Sequence, residues 1–390
     1  MMVLRTAAVL ASLAYAGLAF GSGLDRLAAD DPAMAQRVPS VFAAQALRTL
    51  GAQALALGKA GEVLRLGQAA LNDSPTDPQS AAMFGAGLLA SGNRAGADRA
   101  FRTAGKLGWR VPITQNYWMG KALAQGDYPL AALRFDALLR QQPALHRQRA
   151  LLDPLERNPA GRAALITRIA LRPVWVESYA GDVADLPADV MEQRTTVLLE
   201  AAAKGVVLGC PTIAPSASRL ATLGLFTQGS ALWRAHCPAA GTALLGDNNF
   251  AMAGLGAKSS AFAWEVLGNS ALSLSFVPSP TGSGQRLTLD GSATHPSLFL
   301  TQLLALAPGR YVLSWSAGNE QLQPSDRILA SLSCQGQAPS WLVPQLDRRT
   351  GRWNAGVDVA SACPAQVLGF AAAAGSLNVW LEQIRIEPAR

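Results

Sequence analysis

Three patterns of hydrophobic and polar positions succeed one another along the chain. Residues 6–24, TAAVLASLAYAGLAFGSGL, carry no charge and lie between Arg5 and the pair Asp25–Arg26. From 44 to 145 the apolar residues recur with helical spacing, interrupted by glycines. Near residue 240 the period switches to two. ALSLSFVP (271–278) sets Leu272, Leu274 and Phe276 against serines, and RYVLSWSAG (310–318) alternates Tyr311, Leu313 and Trp315. RILASLSC (327–334), AQVLGF (365–370) and SLNVWLEQIRI (376–386) read as further strands between Pro, Gly and Ser. These patterns predict three segments: 1–24 as a signal peptide or membrane anchor, 25–238 as helices, and 239–390 as an antiparallel β-sandwich.

The helical part carries a longer repeat. Gly58-Lys59, Gly92-Asn93 and Gly126-Asp127 stand 34 residues apart. Ala70 is echoed by Ala104 and Leu138, Phe101 by Phe135, Gly51 by Gly85, and Val63 by Ala97 and Ala131. Pro75 recurs as Pro143, with Trp109 between them. The spacing predicts pairs of antiparallel helices. A glycine closes the first helix, small residues let the axes approach, and a proline stops the unit. A period of 34 with these offsets resembles the tetratricopeptide repeat, over residues 44–145. AGRAALITRIALRP (159–172), the stretch from Ala188 to Lys204, and SASRLATLGLFTQGSALWRAHCP (216–238) read as further helices, degenerate units or a cap.

The tetratricopeptide resemblance implies an α-solenoid that binds a peptide on the face lined by each first helix. The positions there are Gln45, Arg48 and Ala52, then Gln79, Met83 and Ala86, then Asn116, Tyr117 and Leu123. The Lys/Asn pattern with which some members clamp a carboxyl terminus is absent. The groove either takes a protein partner or is filled by the chain's own later helices.

The β segment resembles the jelly-roll, carbohydrate-binding-module-like domains of bacterial surface proteins. The resemblance rests on Leu245-Gly246-Asp247-Asn248-Asn249-Phe250 as an opening strand and Phe262-Ala263-Trp264 as an aromatic strand. It rests also on Pro308-Gly309-Arg310-Tyr311 as a turn and strand, and on Ile384-Arg385-Ile386 as the closing strand. Sugar recognition needs an exposed ring and planar polar groups. Trp341 and Trp353, in loop-like segments, are the candidate platforms, with Asn354, Gln345, Asp347 and Arg348 beside them. The alternative is that both rings cap the sandwich edge. Phe262, Trp264, Tyr311 and Trp315 are assigned to the core.

Charge and cysteine usage refine the picture. The net charge is +7, yet residues 241–390 hold 9 basic and 9 acidic residues, and no Lys/Arg run occurs, which argues against nucleic-acid binding. Cys210, Cys237, Cys334 and Cys363 fit an oxidising compartment, as disulfides or as buried thiols. Three scattered histidines and no Cys-x-x-Cys argue against zinc. AGLGAKSS (253–260) lacks the Gly-Lys step of a phosphate loop, and neither Gly-x-Ser-x-Gly nor His-Glu-x-x-His occurs. No catalytic residue, metal or cofactor is assigned. The expectation is a non-enzymatic periplasmic scaffold in envelope or exopolysaccharide assembly, tethered to the inner membrane or exported after cleavage. A glycan-binding protein is the alternative.

Overall fold

The computed structural model describes residues 2–241, 243–252, 260–268, 270–280 and 284–389, with side chains from residue 9 onward. An amino-terminal helical region is followed by two antiparallel sheets in a sandwich-like arrangement. The chain divides into two compact units, Met1–Leu155 and Glu156–Arg390.

The first unit opens with α1 (Met2–Leu27) and α2 (Pro32–Ala35). Asp25, buried in the last turn of α1, accepts hydrogen bonds from Gln45 N (2.9 Å) and Ala46 N (2.8 Å), the free donors at the start of α3 (Ala44–Ala56). Three helical hairpins follow: α3 with α4 (Ala60–Asp73), α5 (Pro78–Ala90) with α6 (Arg94–Leu107), and α7 (Pro112–Ala124) with α8 (Tyr128–Leu139). A short helix, α9 (Arg149–Glu156), comes after them.

The three hairpins turn in the same way. Gly58, Gly92 and Gly126 take φ of +69°, +86° and +72°. The next residue donates across the turn: Lys59 to Ala54 O (2.9 Å), Asn93 to Leu88 O (2.8 Å) and Asp127 to Ala122 O (2.9 Å). This is the Schellman closure, and it needs a residue without Cβ strain at the left-handed position. Asn93 and Asp127 then cap the second helix by accepting from Gly96 N and Leu130 N.

The seams between successive hairpins differ. At α4–α5 the backbones nearly touch. A Cβ on Gly67 would lie 2.7 Å from Phe84 Cα, and one on Gly87 2.5 Å from Leu64 Cα. At α6–α7 the same repeat positions hold Phe101 stacked on Tyr117, with centroids 4.0 Å apart, and Lys121 paired to Asp98 at 2.8 Å. Tyr117 also donates to Asp98. Burial and that carboxylate push the Tyr117 hydroxyl up to about 12.

The second unit begins with α10 (Pro159–Ile169), α11 (Trp175–Gly181), α12 (Ala188–Ala203), α13 (Cys210–Thr222) and α14 (Phe226–His236). Gly224, at φ +78°, closes α13 as the earlier glycines close their helices. The core here contains polar groups. Tyr179 donates to Glu156 Oε1 at 2.7 Å, and the Arg194 guanidinium lies 4.3 Å from the Tyr179 ring centroid. His236 is buried; its Nδ1 accepts from Leu208 N and its Nε2 donates to Leu198 O. Burial holds this imidazole below its ordinary value.

The sandwich follows. One sheet is ordered β1 (Glu265–Val266), β4 (Ser297–Leu304), β9 (Gln366–Ala372), β6 (Ile328–Cys334). The other runs β2 (Leu272–Pro278), β3 (Gln285–Ala293), β10 (Gly375–Pro388), β5 (Gly309–Asn319), β8 (Arg352–Val359), β7 (Gln345–Asp347). The core between them is large and aromatic: Phe250, Phe299, Trp315 and Phe370, with Leu287, Leu313, Leu368 and Leu381. Phe262 occupies a notch at Gly229 of α14, where a Cβ would meet the ring at 2.7 Å. Disulfides join Cys210 to Cys237 and Cys334 to Cys363.

Several expected elements take another form. Residues 245–250 are turns, not an opening strand, because Asp247 folds back to accept from Ala251 N and Met252 N. Burial pushes its carboxyl up to about 6, the two amides offsetting part of the rise. Residues 262–264 form a turn ahead of β1. Strands β1, β3, β4, β7 and β8 arise where no strand was read from the sequence. The phosphate-loop-like stretch lies, apart from Ser260, outside the described residues.

Candidate functional site

The residues expected to line a peptide groove do not share an open surface. Arg48 is held by Asp77 at 2.6 Å, and Met83 is buried against Gly51. Tyr117 is occupied by Phe101 and Asp98. Gln79 and Asn116 are exposed.

The two candidate tryptophans also part company. Trp341 forms an isolated bridge to Ser331 beside β6 and is 44% exposed. Trp353 lies in β8 rather than a loop. It sits opposite Trp315, whose ring is in the core, so it shares that inward face and packs half-buried against the core. Its neighbour Asn354 faces outward, opposite Ser314 on one side and Gln345 on the other. Asp347 accepts from Thr350 Oγ1 and Arg349 N, bonds that hold its carboxyl below the usual range and shape the β7–β8 turn.

The outward face of the six-stranded sheet has two halves. In the first, Trp380 lies over Gly318, where a Cβ would sit 2.5 Å from the ring. The Arg286 guanidinium stands 3.8 Å from that ring's centroid and forms a bidentate pair with Glu382 at 3.0 and 2.9 Å, which Ser279 joins at 2.7 Å. This network is buried and satisfies its own charges.

The second half is open. After Glu382, β10 takes up one extra residue, Gln383, at φ +53°. Past this bulge Arg385 and Glu387 point outward and are exposed. Arg352 reaches from β8 across β5 to the bulge, donating to Ser314 Oγ (3.1 Å), Gln383 Oε1 (3.0 Å) and Gln383 O (2.6 Å). Burial, and next to it the charge of Arg385, hold Arg352 below its ordinary value. Beyond the bulge β10 pairs with β5 but no longer with β3. The edge left there opens into a cleft of about 400 Å³ lined by Ala243, Leu244, Leu245, Asn248, Arg385, Ile386, Glu387 and Pro388. Apolar walls with a few convergent polar groups are what a small-molecule or sugar subsite requires. Among the described residues no group of three or more metal-ligating side chains gathers.

Sequence reading missed this cleft. Its signal was a change of parity. The apolar positions of β10 run Leu377, Val379, Leu381 and then Ile384, Ile386, which is alternation with one residue too many.

No family model matches the chain, and no curated protein matches it. Among solved structures, the enzymatically active domain of tailspike protein 4 of Bacteriophage CBA120 is 10% identical. That match covers 38% of this chain and 21% of that one, with a TM-score of 0.27. The structure of TmCBM61 in complex with β-1,4-galactotriose is 13% identical over the β region, covering 38% of this chain and 99% of that one, with a TM-score of 0.24. This chain therefore spans about a fifth of the tailspike domain. Likenesses at these scores bear on neither ligand nor reaction here.

Proposed function

We propose that the protein is a non-enzymatic glycan-binding scaffold of the cell envelope, whose sandwich takes up a polysaccharide. The observation that carries this reading is the cleft of about 400 Å³ beside β10, where Asn248, Arg385 and Glu387 offer hydrogen bonds between the apolar walls of Leu244 and Pro388. Two disulfides support an oxidising compartment. The tether in this reading is the amino-terminal segment, whose described residues Val9, Leu10, Leu13, Tyr15, Leu18 and Phe20 are exposed around α1. Among the described residues no helix is long and apolar enough to cross a membrane. The helical hairpins would supply a protein-docking surface, at which Trp109 stands 54% exposed with Arg110 against its ring.

The test is affinity electrophoresis of the full chain in non-ionic detergent through gels containing bacterial polysaccharides. Retardation on at least one polymer, weakened by Asn248→Ala in a protein of unchanged circular dichroism, is the outcome this reading requires. A folded protein that no polymer retards would remove glycan binding and leave docking by the hairpins.

A further inference from the structure

The core does not need Gln383. If that residue were deleted, Leu381 and Ile384 would still face inward and Glu382 and Arg385 outward, in plain alternation. A non-glycine residue at φ +53° is a costly conformation that persists only where its surroundings impose it. On the outer face Arg352 donates to both the side chain and the carbonyl of Gln383. The bulge therefore serves the face and not the interior.

The face holds two arginines without an ion pair, and Asp347, the cross-strand partner of Arg352, is taken up by Arg349 N and Thr350 Oγ1 within its own turn. Arg385 is the cross-strand partner of Ser314, and Arg352 bonds that serine's hydroxyl, so two arginines of neighbouring strands converge on one position of β5. Among the described residues neither has a carboxylate within ion-pair distance, although Arg286 of the same face is fully paired. Glu387, two positions on, acts on Arg352 in the opposite sense to Arg385 and more weakly. Asn354 and Gln345 continue the polar surface away from the bulge, and Arg385 also lines the cleft. Neighbouring like charges left unpaired are unfavourable unless an anion completes them, and a guanidinium fork matches the planar geometry of a carboxylate.

We propose that this face selects an anionic polysaccharide, with Arg385 and Arg352 receiving an acidic substituent of the sugar and the adjoining cleft receiving the ring. The inference rests on the glycan-binding reading above and specifies its ligand class.

Full chain in non-ionic detergent is run through gels containing polygalacturonate, dextran sulfate or neutral dextran. Polygalacturonate and dextran sulfate distinguish a carboxylate from a sulfate as the group received. Arg385→Gln is expected to weaken retardation on at least one polyanion roughly tenfold, the worth of a lost charge-assisted hydrogen bond. Lys204→Gln removes the same charge from an exposed site elsewhere and should leave retardation within twofold. Arg352→Lys, which keeps the charge but cannot span Ser314 and Gln383, should weaken it as well. Equal losses in Arg385→Gln and Lys204→Gln would reduce the effect to net charge and overturn the proposal. Stronger retardation by the neutral polymer, indifferent to Arg385→Gln, would overturn it while leaving glycan binding intact. No retardation on any polymer would overturn both.

Discussion

The hairpins of residues 44–139 and the sandwich of residues 265–388 solve the same packing problem with opposite materials. In the hairpins the close contacts are made by the smallest residues. Gly67 and Gly87 bring helix backbones together, and Ala70, Ala97, Ala104 and Ala131 are buried where a larger side chain would hold the helices apart. In the sandwich the space between two sheets is filled by Phe299, Trp315, Phe370 and their aliphatic neighbours. Tight backbone approach tolerates no added volume, whereas a wide layer tolerates no loss of it.

That contrast can be broken from either side. The largest effect belongs to the sandwich. Trp315→Ala should cost about 3–5 kcal/mol, the range for truncating a buried aromatic. Hydrogen exchange should show protection lost across β5, β8 and β10 while α3–α8 keep theirs. Equal loss in the hairpins would mean that the two units do not fold separately. Next comes Gly87→Val, at about 3 kcal/mol, because the new atoms meet the backbone of Leu64 and not a side chain that can swing away. Its internal control is Gly61→Ala in α4, where a Cβ meets nothing; there denaturant titration should show a gain of about 1 kcal/mol.

The smallest effect concerns α10–α14, whose core follows neither pattern. His236 is held neutral by burial, so its folded value lies below its unfolded one. The unfolded chain then takes up the proton first, and stability falls as pH drops through about 6.5. Asp247, whose carboxyl burial raises to about 6, contributes in the opposite sense over the same range, so the melting temperature between pH 7.5 and 5.5 is read as the difference between the native protein and His236→Gln, and that difference should shrink as pH falls. His236→Gln should start lower and lose that part of the slope.

The hairpins were the most legible part because their contacts are local. A glycine, a cap and a proline at fixed offsets specify each turn within a few residues, and Gly58, Gly92 and Gly126 all adopt the geometry their spacing predicts. Strands β2, β5, β6, β9 and β10 were legible from alternation. Strand β8 was not, because Arg352 and Asn354 flank Trp353 in a stretch rich in turn residues. Strand β4 has a bulge between Leu298 and Leu300 that breaks its period. Of the candidate site, Asn354 was named and does face outward. The arginines were not, because Arg352 and Arg385 are 33 residues apart in sequence and only their shared neighbour β5 brings them to one face. Trp353 was misplaced because a tryptophan amid Arg, Gly and Asn looks like a loop, while its cross-strand partner Trp315 settles its side.

The two seams between hairpins carry a last consequence. Leu64, Gly67, Met83 and Gly87 stand one repeat before Asp98, Phe101, Tyr117 and Lys121, so a bare backbone contact in one seam becomes a ring stack and an ion pair in the next. Excising residues 78–111 would preserve the turns at Gly58 and Gly126, yet it would set the Leu64 and Gly67 face of α4 against Tyr117 and Lys121 of α7, a face built for a different neighbour. The repeat units share an outline but are not interchangeable. Their order is written into the joints, as on a numbered set of tiles, and a shortened chain would have to redesign a joint before it could close.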